Sequence, residues 1–293
     1  MKKVSLWTAL VTPMKNEGSI HFSDLENLIR LQERAGNGIL LAGSTGEGLA
    51  LSEEEKKELV EFTSGLNPDV PVMAGVGGFN LQSQIQWIEW CNKTKIDAYL
   101  LVNPVYSKPG SKGQVKWFTS LLNAADKPCM IYNIPSRTGS KIHPDVIKQL
   151  QDHPNLWSVK EASGSINEFR EFRETVPAVP LYSGDDGLMA HFSVLGSQGL
   201  VSVASNVWPE ATGLYVKKCL NRETETLFPL WNKAIDELFS APNPIPVKRL
   251  LKEKGLIEYS VLRSPLTEDE LESIEKLLKT DKEISNWYKS NKE

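Results

Sequence analysis

The sequence predicts an α/β protein: a (β/α)8 TIM barrel with a helical C-terminal region. Three observations carry this expectation. Short apolar runs recur eight times before residue 206, with helical stretches between them. Most of these runs lack apolar/polar alternation, as parallel strands do when helices cover one face and a barrel interior the other. At 293 residues, the chain is long enough for one such barrel with additional structure.

The runs are SLWTALV (5–11), GILLAGS (38–44), VPVMAGV (70–76), DAYLLVN (97–103), CMIYNIP (129–135), LWSVKEA (156–162), PLYSG (180–184) and GLVSVAS (199–205). Each is rich in β-branched or aromatic residues and ends near Gly, Pro, Asn or Ser, which bounds strands. The intervening segments carry helix signals. Ser52-Glu53-Glu54-Glu55 precedes Leu59, Val60 and Phe62, pairing a capping serine with a glutamate at the third helical position. FSDLENLIRLQERAG (22–36) stops at glycine, and LQSQIQWIEWCNK (81–93) has similar spacing. Beyond about residue 225 no convincing strand occurs. TLFPLWNKAIDELF (226–239), PVKRLLKEKGL (246–256) and TEDELESIEKLLK (267–279) read as helices. The expected division is therefore a barrel over 1–224 and a helical region over 225–293 packed on it. A doubly wound open sheet is the competing architecture, but no strong dinucleotide fingerprint supports it.

Bulk properties narrow the function. Apolar residues make up 40% of the chain and charged residues 24%, the profile of a soluble globular protein. A net charge of -4 gives no general reason to expect nucleic acid or an anionic membrane as partner. Cys91, Cys129 and Cys219 are odd in number, widely spaced and without a metal-ligand pattern, so they read as free thiols in a reducing compartment. MKKVSLWTALV resembles a signal peptide, but the apolar run stops at Thr12-Pro13 and charged residues follow. A first buried strand explains it better. No run reaches the roughly 20 apolar residues of a membrane span, and a cytoplasmic protein is expected.

In such a barrel, chemistry belongs at the C-terminal ends of the strands. Those ends carry Gly43-Ser44-Thr45-Gly46-Glu47, Asn103-Pro104-Val105-Tyr106, Tyr132-Asn133-Ile134-Pro135-Ser136-Arg137-Thr138-Gly139, Lys160 and Ser183-Gly184-Asp185-Asp186. Lys160 stands in a strand that should be packed. Burying an ammonium is costly unless it is paired or gives up its proton. It either pairs with a carboxylate such as Glu161 or Asp185, or is a desolvated amine that forms a Schiff base with a carbonyl substrate. Most other lysines lie in charged, helix-like or loop segments and read as surface residues.

GSTGE lacks the Gly-Lys-Ser/Thr of a phosphate loop, so alone it is a tight turn. Beside a Schiff-base lysine, its amides and hydroxyls would suit a small carboxylate. Tyr132 is either a core residue or the acid/base that moves a proton at the imine carbon. Arg137 is either a solvated arginine or a bidentate carboxylate ligand. His21, His143, His153 and His191 form no zinc or triad spacing, so no metal is expected.

With these motifs in place, the chain resembles the dihydrodipicolinate synthases of the N-acetylneuraminate lyase superfamily. The resemblance runs from TALVTPM (8–14) through GSTGE, NPVY, YNIPSRTG, VKEASG and SGDD. YNIPSRTG together with VKEASG is highly specific, whereas GSTGE is shared across the superfamily. The resemblance implies a pyruvate-dependent class I aldolase of the diaminopimelate–lysine pathway, a lyase that needs no dissociable cofactor. It makes Lys160 the Schiff-base nucleophile and Tyr132 the proton-transfer residue, linked through Ser44 to Tyr106 of a neighbouring subunit. Ser44 stands where the family has threonine, keeping the hydroxyl but losing the methyl that restricts its rotamer.

Ser44 and Thr45 would bind the pyruvate carboxylate, and Gly184 and Val201 would also contact substrate. Arg137 would bind the carboxylate of L-aspartate-4-semialdehyde, and it argues against the sugar-acid aldolases of the superfamily. A non-catalytic pyruvate-binding relative would not require the nucleophile. The implied assembly is a homotetramer, with a dimer as the alternative. Lysine-inhibited relatives place a carboxylate and an aromatic ring where Gln84 and Val105 stand here, among Glu53, Lys56 and Asn80. Weak or absent feedback by L-lysine is expected.

Overall fold

A computed structural model describes residues 2–224 and 227–292. Eight parallel strands close a barrel in chain order: β1 (Leu6–Ala9), β2 (Gly38–Leu41), β3 (Val72–Val76), β4 (Ala98–Val102), β5 (Cys129–Asn133), β6 (Leu156–Glu161), β7 (Leu181–Ser183) and β8 (Leu200–Ser202). All eight expected strands are present, each shorter than its apolar run. The trimmed ends matter for function. At β2 the extended chain stops at Leu41 and Ala42 turns into the left-handed region at φ 52°.

The barrel helices are α1 (Phe22–Ala35), α2 (Glu53–Leu66), α3 (Leu81–Cys91), α4 (Ser111–Ala124), α5 (Pro135–Thr138), α6 (Pro144–Leu150), α7 (Ile166–Thr175), α8 (Met189–Val194) and α9 (Pro209–Leu220). The expected capping box at α2 is formed: Ser52 Oγ accepts from Glu55 N at 3.1 Å, and Glu55 Oε2 accepts from Ser52 N at 2.8 Å. Helix α1 ends at Gly36, whose φ of 72° favours glycine.

Side chains alternate across each strand, so the sheet has two cores. Outward residues pack against the helices. Inward residues fill the barrel with Trp7, Leu40, Met73, Leu100, Met130, Tyr132, Tyr182 and Val201 among others.

The C-terminal helices are α10 (Phe228–Leu238), α11 (Ile245–Glu253) and α12 (Glu275–Asn291). They attach to the barrel through an aromatic cluster. Trp231 of α10 stacks on Tyr215 of α9 with ring centroids 4.3 Å apart, and Trp287 of α12 meets it edge-on at 5.4 Å. Trp208 Nε1 donates to Asp281 of α12 at 2.7 Å. The expected cut between 224 and 225 borders residues 225–226, which lie outside those described.

The continuous helix expected over 267–279 is not formed. A 3-10 turn at Glu268–Glu270 gives way to extended backbone at Leu271, and α12 starts at Glu275. A bond from the preceding loop competes with local helix preference here: Ser260 Oγ donates to Glu268 at 2.5 Å, and the local acceptor Ser273 Oγ takes Glu275 N at 3.2 Å where α12 begins.

Candidate active site

In β6 the side-chain alternation sends Lys160 inward and Glu161 outward. The register pairs Tyr132 of β5 with Lys160, and Lys160 with Tyr182 of β7. The lysine is only 4% exposed, and its Nζ lies 4.0 Å from the centroid of the Tyr132 ring. Both carboxylates considered as its partner accept hydrogen bonds elsewhere. Glu161 Oε1 accepts from Asn133 Nδ2 and Ser163 N, each at 2.9 Å, and Asp185 Oδ1 accepts from Gly187 N at 2.9 Å.

Burial therefore pushes the amine down to about 7, and the Arg137 charge works in the same direction. The Asp186 carboxylate opposes them, although burial raises Asp186 itself to about 6. Gly184 makes room for the lysine stem: a Cβ there would fall 2.6 Å from Lys160 Cε. On the outer face, the Asn133–Glu161 bond ties together the strand ends that carry Tyr132 and Lys160.

Tyr132 is buried, and desolvation pushes its phenol up to about 12 against the opposing effects of Arg137 and the Ser44 hydroxyl. It therefore keeps its proton at neutral pH. Ser44 and Thr45 belong to a turn with two left-handed non-glycine residues, Ala42 at φ 52° and Glu47 at φ 55°. The turn packs so tightly that a Cβ at Gly48 would overlap the Ala42 carbonyl.

Residues distant in sequence hold this shape. Thr12 Oγ1 donates to the Gly46 carbonyl at 2.7 Å. Lys248 Nζ donates to Glu47 Oε1 at 2.5 Å, and Arg263 N donates to Glu47 Oε2 at 2.7 Å. Asn243 Nδ2 donates to Thr45 Oγ1 at 2.9 Å.

A cavity of about 690 Å³ opens at the C-terminal rim of the barrel. Ser44, Thr45, Tyr132, Arg137, Lys160 and Gly184 all line it. Sequence reasoning did not identify Asn243, His191 or Asp236, which line the same cavity from outside the strand ends. Nor did it single out Lys248, which is fully buried instead of at the surface. One signal was available: Lys248 interrupts the run Pro244-Ile245-Pro246-Val247, on the side of α11 that buries Ile245 and Leu251.

Two expected site residues lie outside this wall. Val201 belongs to the packed interior cluster with Tyr132 and Ala162, and Val203 is the valine that reaches the cavity. Tyr106, in the loop after β4, is 90% exposed with φ 67°. A second cavity of about 80 Å³ lies behind Ser44 and Tyr132, lined also by Leu49, Lys56, Gln84, Trp87 and Val105.

No cluster of three or more His, Cys, Asp or Glu that could hold a metal ion occurs among the described residues. No helix among them is long and apolar enough to cross a membrane. The three cysteines are free and buried, and burial raises each thiol to about 12.

Known proteins share this architecture along the whole chain. The sequence pattern of the dihydrodipicolinate synthetase family matches residues 2–284. The 4-hydroxy-tetrahydrodipicolinate synthase of Francisella philomiragia is 48% identical over 284 residues, covering 97% of this chain and 96% of that protein. The 4-hydroxy-tetrahydrodipicolinate synthase structure from Methylacidiphilum fumariolicum superposes with a TM-score of 0.92 at 31% identity, over 99% of this chain and 98% of that one. The chloride-inhibited dihydrodipicolinate synthase from Acinetobacter baumannii, complexed with pyruvate, gives 0.88 at 30% identity over 95% and 98%. A full-length family match and a relative well above 30% identity agree with the barrel and its rim: the chain belongs to the dihydrodipicolinate synthetase family.

Proposed function

We propose that this site condenses pyruvate with L-aspartate-4-semialdehyde to give 4-hydroxytetrahydrodipicolinate, in the diaminopimelate–lysine pathway. The observation that carries the reading is Lys160: a buried amine with no ion pair among the described residues, lowered to about 7, against the ring of a protonated tyrosine. A lysine in that state is a nucleophile at neutral pH.

The free amine attacks the pyruvate carbonyl and water leaves, giving an imine. Loss of a methyl proton converts the imine to an enamine, with the imine nitrogen as electron sink. The enamine carbon bonds to the aldehyde carbon, whose oxygen takes a proton. The amino group of the second substrate then attacks the imine carbon and displaces Lys160, closing the ring. The balance is one water lost per pair of substrates. Tyr132 carries the protons, while Ser44 and Thr45 hold the pyruvate carboxylate. Gly184 leaves space for the lysine, and Val201 packs in the barrel interior with Tyr132.

Arg137 grips the carboxylate of the semialdehyde. Its side chain is exposed at the cavity and positioned by the short helix α5, which begins at Pro135. Arg137→Ala is expected to raise KM for the semialdehyde at least ~10-fold, since a charge-assisted bidentate contact is lost. Pyruvate trapping on Lys160 by borohydride should persist. Steady-state kinetics with each substrate varied would show this, and an unchanged semialdehyde KM would remove Arg137 from the site. Cleavage of sugar acids in place of ring formation would instead support another pyruvate aldolase.

The proposed assembly is a homotetramer, with the dimer as its minimal unit. Leu49, Phe79 and Tyr106 are 66%, 70% and 90% exposed on the loops after β2, β3 and β4. Such a patch asks for a cover. In this reading Tyr106 enters the small cavity behind Ser44 and Tyr132 of a second copy and completes a hydroxyl relay. Tyr106→Phe is expected to lower kcat ~10-fold or more with the assembly intact by sedimentation. A monomer at micromolar concentration would exclude this arrangement.

Feedback by L-lysine is proposed to be weak or absent. Gln84 and Val105 line the small cavity, and neither offers a carboxylate for an effector's ammonium. Glu53 is exposed at the start of α2, while Asn80 caps α3 through Ser83 N. Rates at saturating substrates should be unchanged by L-lysine at micromolar concentrations, and clear inhibition there would refute the reading.

A further inference from the structure

We propose that Asn243 is a positioning residue for the keto acid, turning the hydroxyl proton of Thr45 toward the pyruvate carboxylate from the C-terminal region of the chain. The inference rests on the reaction proposed above and assigns it a residue from outside the strand ends.

Thr45 and Asn243 are both buried, and their side chains meet across 198 positions of sequence. Asn243 Nδ2 donates and Thr45 Oγ1 accepts, at 2.9 Å. A threonine hydroxyl has one proton and two lone pairs. A lone pair occupied by the amide leaves the proton to point elsewhere, and Thr45 lines the cavity that holds Lys160. The opposite amide orientation would draw that proton onto the amide oxygen, and the hydroxyl would then present lone pairs to an incoming carboxylate. Asn243 also lines this cavity, and its Oδ1 is buried without a partner among the described residues. In this orientation Nδ2 holds the amide to Thr45.

A second link keeps the distance fixed. Two residues beyond Thr45, Glu47 accepts from Lys248, which lies five residues beyond Asn243. Both groups are buried, and Lys248 also donates to the Val261 carbonyl at 2.8 Å. The turn and the segment leading into α11 are thus joined at two points. Asn243→Ala removes one contact and leaves the other.

The test is borohydride trapping of pyruvate on Lys160, in the full chain, without the second substrate. Asn243→Ala is expected to raise the half-saturating pyruvate concentration about fivefold, because the Thr45 hydroxyl stays but loses the partner that fixes its proton toward the carboxylate. The trapping rate at saturation and KM for the semialdehyde should stay within about twofold. In a Thr45→Val background the hydroxyl is gone, and adding Asn243→Ala should change nothing further.

Asn243→Asp keeps the shape of the side chain and decides the matter if the alanine variant fails to fold. It should raise the pyruvate requirement at least as much, because it would draw the Thr45 proton to itself. An unchanged pyruvate dependence in Asn243→Asp or Asn243→Ala, or effects that multiply in the double variant, would overturn the proposal. Failure of the wild type to trap pyruvate would instead overturn the underlying reaction.

Discussion

Lys160→Ala is expected to reduce ring formation at least ~1,000-fold and to abolish borohydride trapping, because no second amine takes over the imine. The barrel should remain folded, since removing a buried charge-capable group relieves desolvation. The wild-type pH profile is the sharper measurement. Attack requires the free amine, and Lys160 is lowered to about 7 by burial and by Arg137. Imine formation should therefore rise about tenfold per pH unit below 7 and level off above it. An ordinary lysine would still be gaining free amine at pH 9. A profile that climbs steadily to that pH would mean that the site does not perturb Lys160, and the mechanism would lose its nucleophile.

The second large effect concerns stability. Lys248→Met is expected to destabilise the fold by about 3–5 kcal/mol, the usual consequence of stranding one member of a buried ion pair. Glu47 would keep its bond from Arg263 N but lose the ammonium set against it at 2.5 Å. Burial lowers the pKa of Lys248 and the Glu47 carboxylate opposes that shift, so Lys248 depends on Glu47 to stay charged. Lys248→Met combined with Glu47→Leu should recover much of the loss, since a well-packed apolar pair escapes the desolvation cost. Thermal unfolding of the wild type and three variants closes the cycle. If Lys248→Met melts with the wild type, the pair has no structural weight.

The barrel was legible because each element follows a local rule. Apolar runs became strands, Ser52 capped α2, and Gly36 stopped α1. Ser44, Thr45, Tyr132, Arg137, Lys160 and Gly184 were legible as residues because they sit where strands end, and the fold gathers such ends at one rim. The C-terminal contribution was not legible. Nothing near Asn243 or Lys248 indicates that their partners lie 198 and 201 positions earlier. Periodicity reports which face of a helix is buried, not what lies on the other side of the contact. The broken helix before α12 has the same origin, since Glu268 is claimed by Ser260 and not by its own helical turn. Tyr106 marks a different boundary, because the role proposed for it requires a second copy of the chain.

The Asn243–Thr45 bond also sets a time. Ribosomes add roughly 5–20 residues per second, so Thr45 is made about 10–40 s before the amide that orients it. Lys160 is also made first, and all eight strands are already synthesised by then. The turn that carries Thr45 therefore waits for a partner that follows every strand of the barrel in the chain.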